Sequence, residues 1–385
     1  MVYAGANAHS FEHASRDLAE LAESPISAAR IMRATERVGQ ERLALRGEAL
    51  ARWRKLPLPE QRRSPHEHVP QVACVQVDGG RLQVRERCAT SATARSEKGF
   101  WRESKVACLL RMHSQTYAAD PCPTLPEGFA NLSRMAELCR EIKGFSGVEA
   151  PLEESPDDRD SRRDGRPRVL TRNVLAMRAT HEEFGDHAAA LAWECGFAAA
   201  PRKAFVADGQ EANWTLWKRR FSHYTPILDF VHAVCYVFQA AVAGRPLDEV
   251  AAVYRRWAQA VWSGRVKDVI AELELRQREV GDPEESDPET HPRHVVAKAL
   301  GYLRNQASRM RYDVYRKEGL PIVSAYVEST IKQINRRVKG SDKFWSEGGA
   351  EALLQLAGDY LSDRLPLDQY WRDRPANATG QRQYA

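Results

Sequence analysis

Two short runs of the sequence each carry an apolar stretch into a carboxylate and then a glycine. "QVACVQVDGG" (71–80) ends its Val, Ala, Cys and Val run on Asp78, and "KAFVADG" (203–209) ends on Asp208 before Gly209. Either one alone reads as a turn residue, since Asp-Gly is a common turn signal. As a pair they say more. Two strand-end carboxylates 130 residues apart in the chain meet only if their strands neighbour each other in one sheet. Gathering negative charge in this way is costly unless cations fill the site. Hard divalent ions remove the cost: Mg2+ takes few protein carboxylates together with substrate phosphates. Two such ions about 3.5–4 Å apart stabilise both the entering and the leaving oxygen of a phosphodiester displacement.

A third acid lies in "GLPIVSAYVESTIKQINRRVKGSDKFW" (319–345). Glu328 stands at a helix start, and Lys332, Arg336 and Lys339 follow at steps of four, four and three, on one helical face with it. Between Ser329 and Trp345 five cations, Lys332, Arg336, Arg337, Lys339 and Lys343, stand against Asp342. A carboxylate heading a basic stripe suits a phosphate-backbone substrate. The plainer alternative is a solvated helix face with i,i+4 pairs. Trp214, Trp217, Trp345 and Trp371 are candidates for stacking on unpaired bases or for ordinary packing, and Trp345, beside the stripe, is the best stacking candidate. Arg162, Arg163, Arg166 and Arg168 are nearly cancelled by nearby acids, which favours disorder over a DNA-touching arm.

The elements that must position these acids read as follows. Residues 9–54 are helical, with Ser24 or Ser27 as a cap for the second helix; the pair is a helix-turn-helix or, more commonly, a packing hairpin. "VACVQVD", "RLQVRE" and "SKVACLLRMH" read as three strands. Residues 129–143 are helical, and 147–169, acidic, basic and Pro-bearing, reads as a mobile surface insertion. A helix over about 176–199, the strand before Asp208, a helix at "EANWTLWKRRF", a short strand at "TPILDF" and a helix over 231–243 come next. Residues 246–317 are helical apart from "GDPEESDPETHP", and further helices cover 326–338 and 347–361.

Composition bounds the class. Hydrophobic residues make up 43% of the 385, an ordinary globular share with length enough for more than one domain. No run of about 18 apolar residues suggests a membrane span, and the start shows no basic segment followed by an apolar one. Seven cysteines stand singly, without a C-x-x-C pair, which speaks against a zinc ribbon and for a reducing cytoplasm. The net charge of +5 is compatible with a polyanionic partner.

The order of these features resembles the ribonuclease-H-like core of DDE transposases. More closely, "QVDGGRLQVRE", "WRESKVA", "FVADGQEANW", "LDFVHA", "GYLRNQASRMRYDVYRKEGLPI" and "VESTIKQINRRVKGSDKFWS" are similar, in the same order, to blocks of bacterial insertion-sequence transposases of the Kra group, distant relatives of Mutator-like elements. The resemblance covers roughly residues 9–372. It implies an α/β fold: a ribonuclease-H-like mixed sheet with flanking helices, interrupted by an all-helical insertion and preceded by an N-terminal helical segment. The implied organisation is 1–66 helical segment and linker, 67–245 first part of the core with a mobile insertion at 144–170, 246–318 helical insertion, 319–373 last part of the core, and 374–385 a disordered tail. It further implies Asp78, Asp208 and Glu328 as the catalytic and metal-binding triad with two Mg2+ (or Mn2+) ions, and Asp229 with His232 as the C/D-x-x-H signature. His232 is read as ordering the core near Asp208 through Asp229 rather than as a metal ligand. The implied activity is metal-dependent strand cleavage and transfer, on double-stranded DNA (element ends and target), by a homo-oligomer in the bacterial cytoplasm with no membrane partner. Two departures stand out: Val323 and Ala325 replace family glycines ahead of Glu328, and the family's Cys-rich N-terminal segment has no counterpart. A catalytically impaired DNA-binding remnant, or a nuclease that cuts without joining, are the alternative readings.

Overall fold

The computed structural model describes residues 1–65, 69–85, 100–143 and 165–374. The architecture is mixed α/β, a six-stranded mixed sheet flanked by helices. The strands are β1 (Val72–Val84), β2 (Trp101–His113), β3 (Arg168–Met177), β4 (Arg202–Ala207), β5 (Thr225–Leu228) and the two-residue β6 (Phe344–Trp345). They lie in the order β3-β2-β1-β4-β5, with β6 on β1. β2 runs antiparallel to β1 and to β3, whereas β4 and β6 run parallel to β1 and β5 parallel to β4.

β1 is central because its first half is apolar on both faces: Val72, Ala73, Cys74, Val75 and Val77 are all buried. Such two-sided burial reads in sequence as a near-continuous hydrophobic run. The strand does not stop at Asp78. "VACVQVD" and "RLQVRE", read as two strands, form one strand, because β2 pairs continuously past the glycines: Asp78 with Val106, Gly79 with Lys105, Gly80 with Ser104. Gly80 serves a close approach here rather than a turn. A Cβ there would come within 2.9 Å of Ser104 Oγ and 3.8 Å of Ile331. A second difference lies at residues 168–177, where β3 replaces the end of the expected insertion and the start of the expected helix. Its register against β2 shifts between Arg111 and Met112, and its last five residues are buried. Residues 144–164 of that insertion, and 375–385 of the expected tail, lie outside the described residues.

The described helices of six or more residues are α1 (Val2–Asn7), α2 (Phe11–Ala22), α3 (Ala28–Lys55), α4 (Leu132–Lys143), α5 (His181–Glu194), α6 (Glu211–Arg220), α7 (Phe230–Val242), α8 (Leu247–Trp262), α9 (Val266–Val280), α10 (Pro292–Gln306), α11 (Tyr312–Lys317), α12 (Ala325–Val338), α13 (Glu347–Tyr360) and α14 (Pro366–Asp373). The N-terminal pair is a packing hairpin: α3 buries Ile31, Thr35, Val38, Gly39 and Leu50, and Gly39 lies directly against the backbone of Ala352 in α13. Ser27 takes the cap position of α3 without a side-chain cap hydrogen bond. The helical stretch α8 to α11 packs on α7, and its Val250, Trp257, Val296 and Leu303 belong to the same continuous core as the sheet. No described helix is long and apolar enough to cross a membrane.

Candidate functional site

The two aspartates are set level by strand register. β1 and β4 run parallel with Gln76 opposite Val206, an offset of 130, and Asp78 and Asp208 share that offset. Two residues beyond the last paired position, this register sets Asp208, just past the end of β4, level with Asp78 in the middle of β1. β4 stops at Ala207, and β6 joins the same edge of β1 only at Gln83. Between them the edge that carries Asp78 has no strand partner among the described residues. A cleft of about 620 Å3 lies nearby, lined by Gly79, Gly80, Arg81, Trp101, Arg102, Glu103 and Gln210, with none of the three acids in its wall.

Asp208 is held by its own turn. Its Oδ1 accepts the Gln210 amide at 3.1 Å and the Asn213 side chain at 2.9 Å. Its carbonyl accepts the Tyr302 hydroxyl at 2.6 Å, which ties the turn to α10. Gly209 needs to be glycine: its φ is +95°, and a Cβ would lie 2.7 Å from that hydroxyl. Asp78 accepts the Gly79 amide at 2.7 Å.

Glu328 sits in the first turn of α12 and is delivered by a clamp that crosses the sheet. Gln76, buried in β1 two residues before Asp78 and so on the same face, donates its side-chain amide to the Val323 carbonyl at 2.9 Å. Its side-chain oxygen accepts the Val327 amide at 3.2 Å. Ile322 accepts the Phe230 amide at 2.9 Å, and Ser324 is bound through both N–H (2.5 Å) and hydroxyl (2.8 Å) to Asp229 Oδ2. The approach to Glu328, where Val323 and Ala325 replace the glycines of the resembled family, is thereby fixed by hydrogen bonds at three successive residues. Gln76 and Ser324 were not among the candidates read from the sequence. The available signals were one amide inside an apolar strand and one small hydroxyl four residues ahead of the Glu.

Asp229 is fully buried and caps α7, its Oδ1 accepting the His232 amide at 2.8 Å and lying 3.1 Å from His232 Nδ1. Its own amide bonds the Ala207 carbonyl at 2.9 Å, which joins the start of α7 to the end of β4. Burial alone would raise its proton affinity, but the His232 hydrogen bond and charge bring it below the usual carboxylate range. Glu328 Oε1 lies 2.9 Å from Ser324 Oγ and 3.8 Å from His232 Nδ1. Among the described residues, Asp229, His232 and Glu328 are the group whose ligand atoms all lie within 4.8 Å of one another; Asp78 and Asp208 stand outside it.

The acids nonetheless share one electrostatic field. Burial, and then the charge of Asp208, push the Asp78 carboxyl up to about 7, with Glu328 adding to the rise and the Gly79 amide and His232 opposing it. Glu328 is raised by burial and by Asp229, and lowered by His232, Ser324 and Lys332. Asp78, raised by two neighbouring carboxylates, sits in a donor set short of positive charge, and oxygen donors of this kind fit hard divalent ions.

The basic stripe divides on folding. Lys332, Arg336 and Lys339 are exposed on α12, Lys332 pairing with Glu141 at 2.8 Å and Lys339 lying 5.9 Å above the Trp101 ring. Arg337, Lys343 and Trp345, expected at a DNA surface, are turned into the fold instead. Arg337 is buried, donates twice to the Gly5 carbonyl (3.1 and 3.0 Å) and lies over the rings of Phe11 and Trp345. Burial depresses its pKa to about 10. Lys343 donates to the Arg336 carbonyl at 2.9 Å, and Trp345 Nε1 to the Val338 carbonyl at 2.8 Å. The reason is positional: Arg337 lies on the face of α12 that α1 and α2 cover, one step round from Arg336. Trp214 and Trp217 are packing residues, the first beneath Arg309 and the second donating to the Tyr224 carbonyl at 2.9 Å. No family model matches the chain, and a search of curated proteins finds no match.

Proposed function

We propose that the chain is a metal-dependent phosphodiester-processing enzyme of the DDE transposase type, built on a ribonuclease-H-like core as its resemblance to the Kra group implies. The observation that carries the reading is the shared offset of 130 between the β1–β4 ladder and the pair Asp78 and Asp208. It sets Asp208, just past the end of β4, level with Asp78 inside β1, and the Gln76 clamp holds the start of α12, with Glu328, against the same strand.

In this reading Asp78, Asp208 and Glu328 would hold two Mg2+ (or Mn2+) ions, which when bound supply a lowered pKa for the attacking water and stabilise the entering and leaving oxygens. The protein's own residues do the rest. Asp78 must lose its proton to bind a cation, and its raised pKa sets that loss near neutrality. Asp229 and His232 join β4, α7 and the turn before α12, so they orient Glu328 rather than hold substrate. Lys332, Arg336 and Lys339 offer charge to a DNA backbone running past the cleft beside Gly79 and Gly80. The products are a cleaved element end and, by attack of its 3′-OH on a second duplex, a joined one. Assembly of several copies on DNA belongs to the same proposal.

The test is nicking and strand transfer on plasmid DNA. Asp78→Asn, Asp208→Asn and Glu328→Gln should each lose Mg2+-dependent nicking by a factor on the order of 10^3, with DNA binding retained. Full activity in Asp78→Asn would sink the assignment. Nicking without joining of pre-cut ends would instead identify a nuclease, and binding with no nicking at any Mn2+ concentration an impaired remnant.

A further inference from the structure

A groove of about 830 Å3 lies among α1, α3, α13 and α14. Its size falls within the range of about 300–1,000 Å3 usual for ligand sites. Arg30, Arg33 and Arg37 line it from one face of α3, at i, i+3 and i+7, so their levels span about 10 Å along the helix axis. No Asp or Glu lines it. Glu36, the acid within that stretch, points instead toward Gly349 of α13. Three guanidiniums therefore face a cavity without a counter-charge in its walls.

The same groove carries aromatic rings. Tyr3 is 66% exposed and meets Tyr360 edge-on, with ring centroids 5.1 Å apart. Trp371 forms another wall, and Arg374 lies 5.5 Å above its ring while paired with Glu41 at 2.7 Å. Arg374 is thus already used, and it fixes the indole in place. Apart from its contact with Tyr360, the Tyr3 ring stands two-thirds in water beside a row of arginines.

We propose that this groove binds single-stranded nucleic acid: Arg30, Arg33 and Arg37 track successive phosphates and the Tyr3 ring stacks on an unpaired base. Arginine rows recognise phosphate, and base–aromatic stacking favours a strand whose bases are not already paired. A duplex would offer the phosphates without a free base face. The groove shares no residue with the acids at the β1–β4 end, and its binding needs none of their chemistry.

The test is fluorescence anisotropy of the full chain with a fluorescein-labelled 15-residue oligothymidylate, titrated at several salt concentrations. Arg30→Ala/Arg33→Ala/Arg37→Ala should weaken binding about tenfold or more and lower the salt slope by about two units, three phosphates at about 0.7 each. Tyr3→Ala should weaken it about fivefold or more while leaving the slope unchanged. All four side chains are exposed, so circular dichroism melts should match the parent; Arg33→Gln, with about one third of the slope change, checks the result with a milder variant. Unchanged affinity and slope in the triple variant would overturn the proposal. So would displacement of the strand by inorganic phosphate at equal phosphate concentration, or equally tight binding of a 15-base-pair duplex unaffected by Tyr3→Ala. The readout is binding alone, so a failure of the nicking experiment leaves this one intact.

Discussion

Asp78 is the carboxyl on which the proposed site's pH dependence turns. Its pKa stands at about 7 against an ordinary 3.8, from burial first and the charge of Asp208 second. A carboxyl whose proton affinity is higher in the folded chain adds stability at low pH, fully present below pH about 4, and that contribution is lost as pH rises through about 7. The parent should therefore melt lower at pH 8 than at pH 5 in EDTA, by an amount on the order of 2–4 kcal/mol at this residue. Asp78→Asn removes the penalty and should flatten the profile, and millimolar Mg2+ should raise the melting temperature of the parent at pH 8 far more than that of the variant. Differential scanning fluorimetry reads both. Parallel profiles for the two proteins would mean that Asp78 does not carry the raised charge.

At the scale of the element, α12 divides its cations by face. Arg337 is packed under α1 and α2 with two hydrogen bonds to a backbone carbonyl, whereas Arg336, one residue earlier, is in solvent. Arg337→Ala removes a buried, hydrogen-bonded side chain and leaves the Gly5 carbonyl without that partner. Urea unfolding should show a loss of about 2–4 kcal/mol. Arg336→Ala/Lys339→Ala should leave the urea midpoint nearly unchanged, within about 0.5 kcal/mol. It should lower the salt slope of duplex binding by about two units if both touch phosphates. An unchanged slope would return this face to an ordinary solvated role.

At the scale of the molecule, the long helix α3 ties the N-terminal hairpin to the sheet through α13. At Gly39 the two helices are in backbone contact: a Cβ would lie 2.4 Å from the Ala352 carbonyl oxygen. Gly39→Ala should cost about 3 kcal/mol or more, since neither backbone can give way cheaply. Gly47, on the same helix, would place a Cβ in open space. Gly47→Ala should stabilise by about 0.5–1 kcal/mol through helix propensity. Chemical denaturation of the two variants tests whether α3 is a packing strut. Equal effects would return it to the freestanding helix of a helix-turn-helix.

How much of this was legible beforehand follows from the range of the forces involved. Apolar runs, Asp-Gly endings and helical spacing are local patterns. Asp208 after an apolar strand, Glu328 in the first turn of a helix and the mixed α/β class could therefore be read directly, as could the spacing that strand register then matched. The continuity of β1 through Gly79 and Gly80 could not, because it comes from pairing with β2, which lies across the segment 86–99. Nor could the fate of Arg337, Lys343 and Trp345, since a helical stripe specifies which residues share a face and not which neighbours cover it. The Gln76 clamp and the Asp229–Ser324 bonds join residues up to about 250 positions apart. Burial and hydrogen-bond geometry over such separations are properties of the packed chain, and no short window of residues contains them.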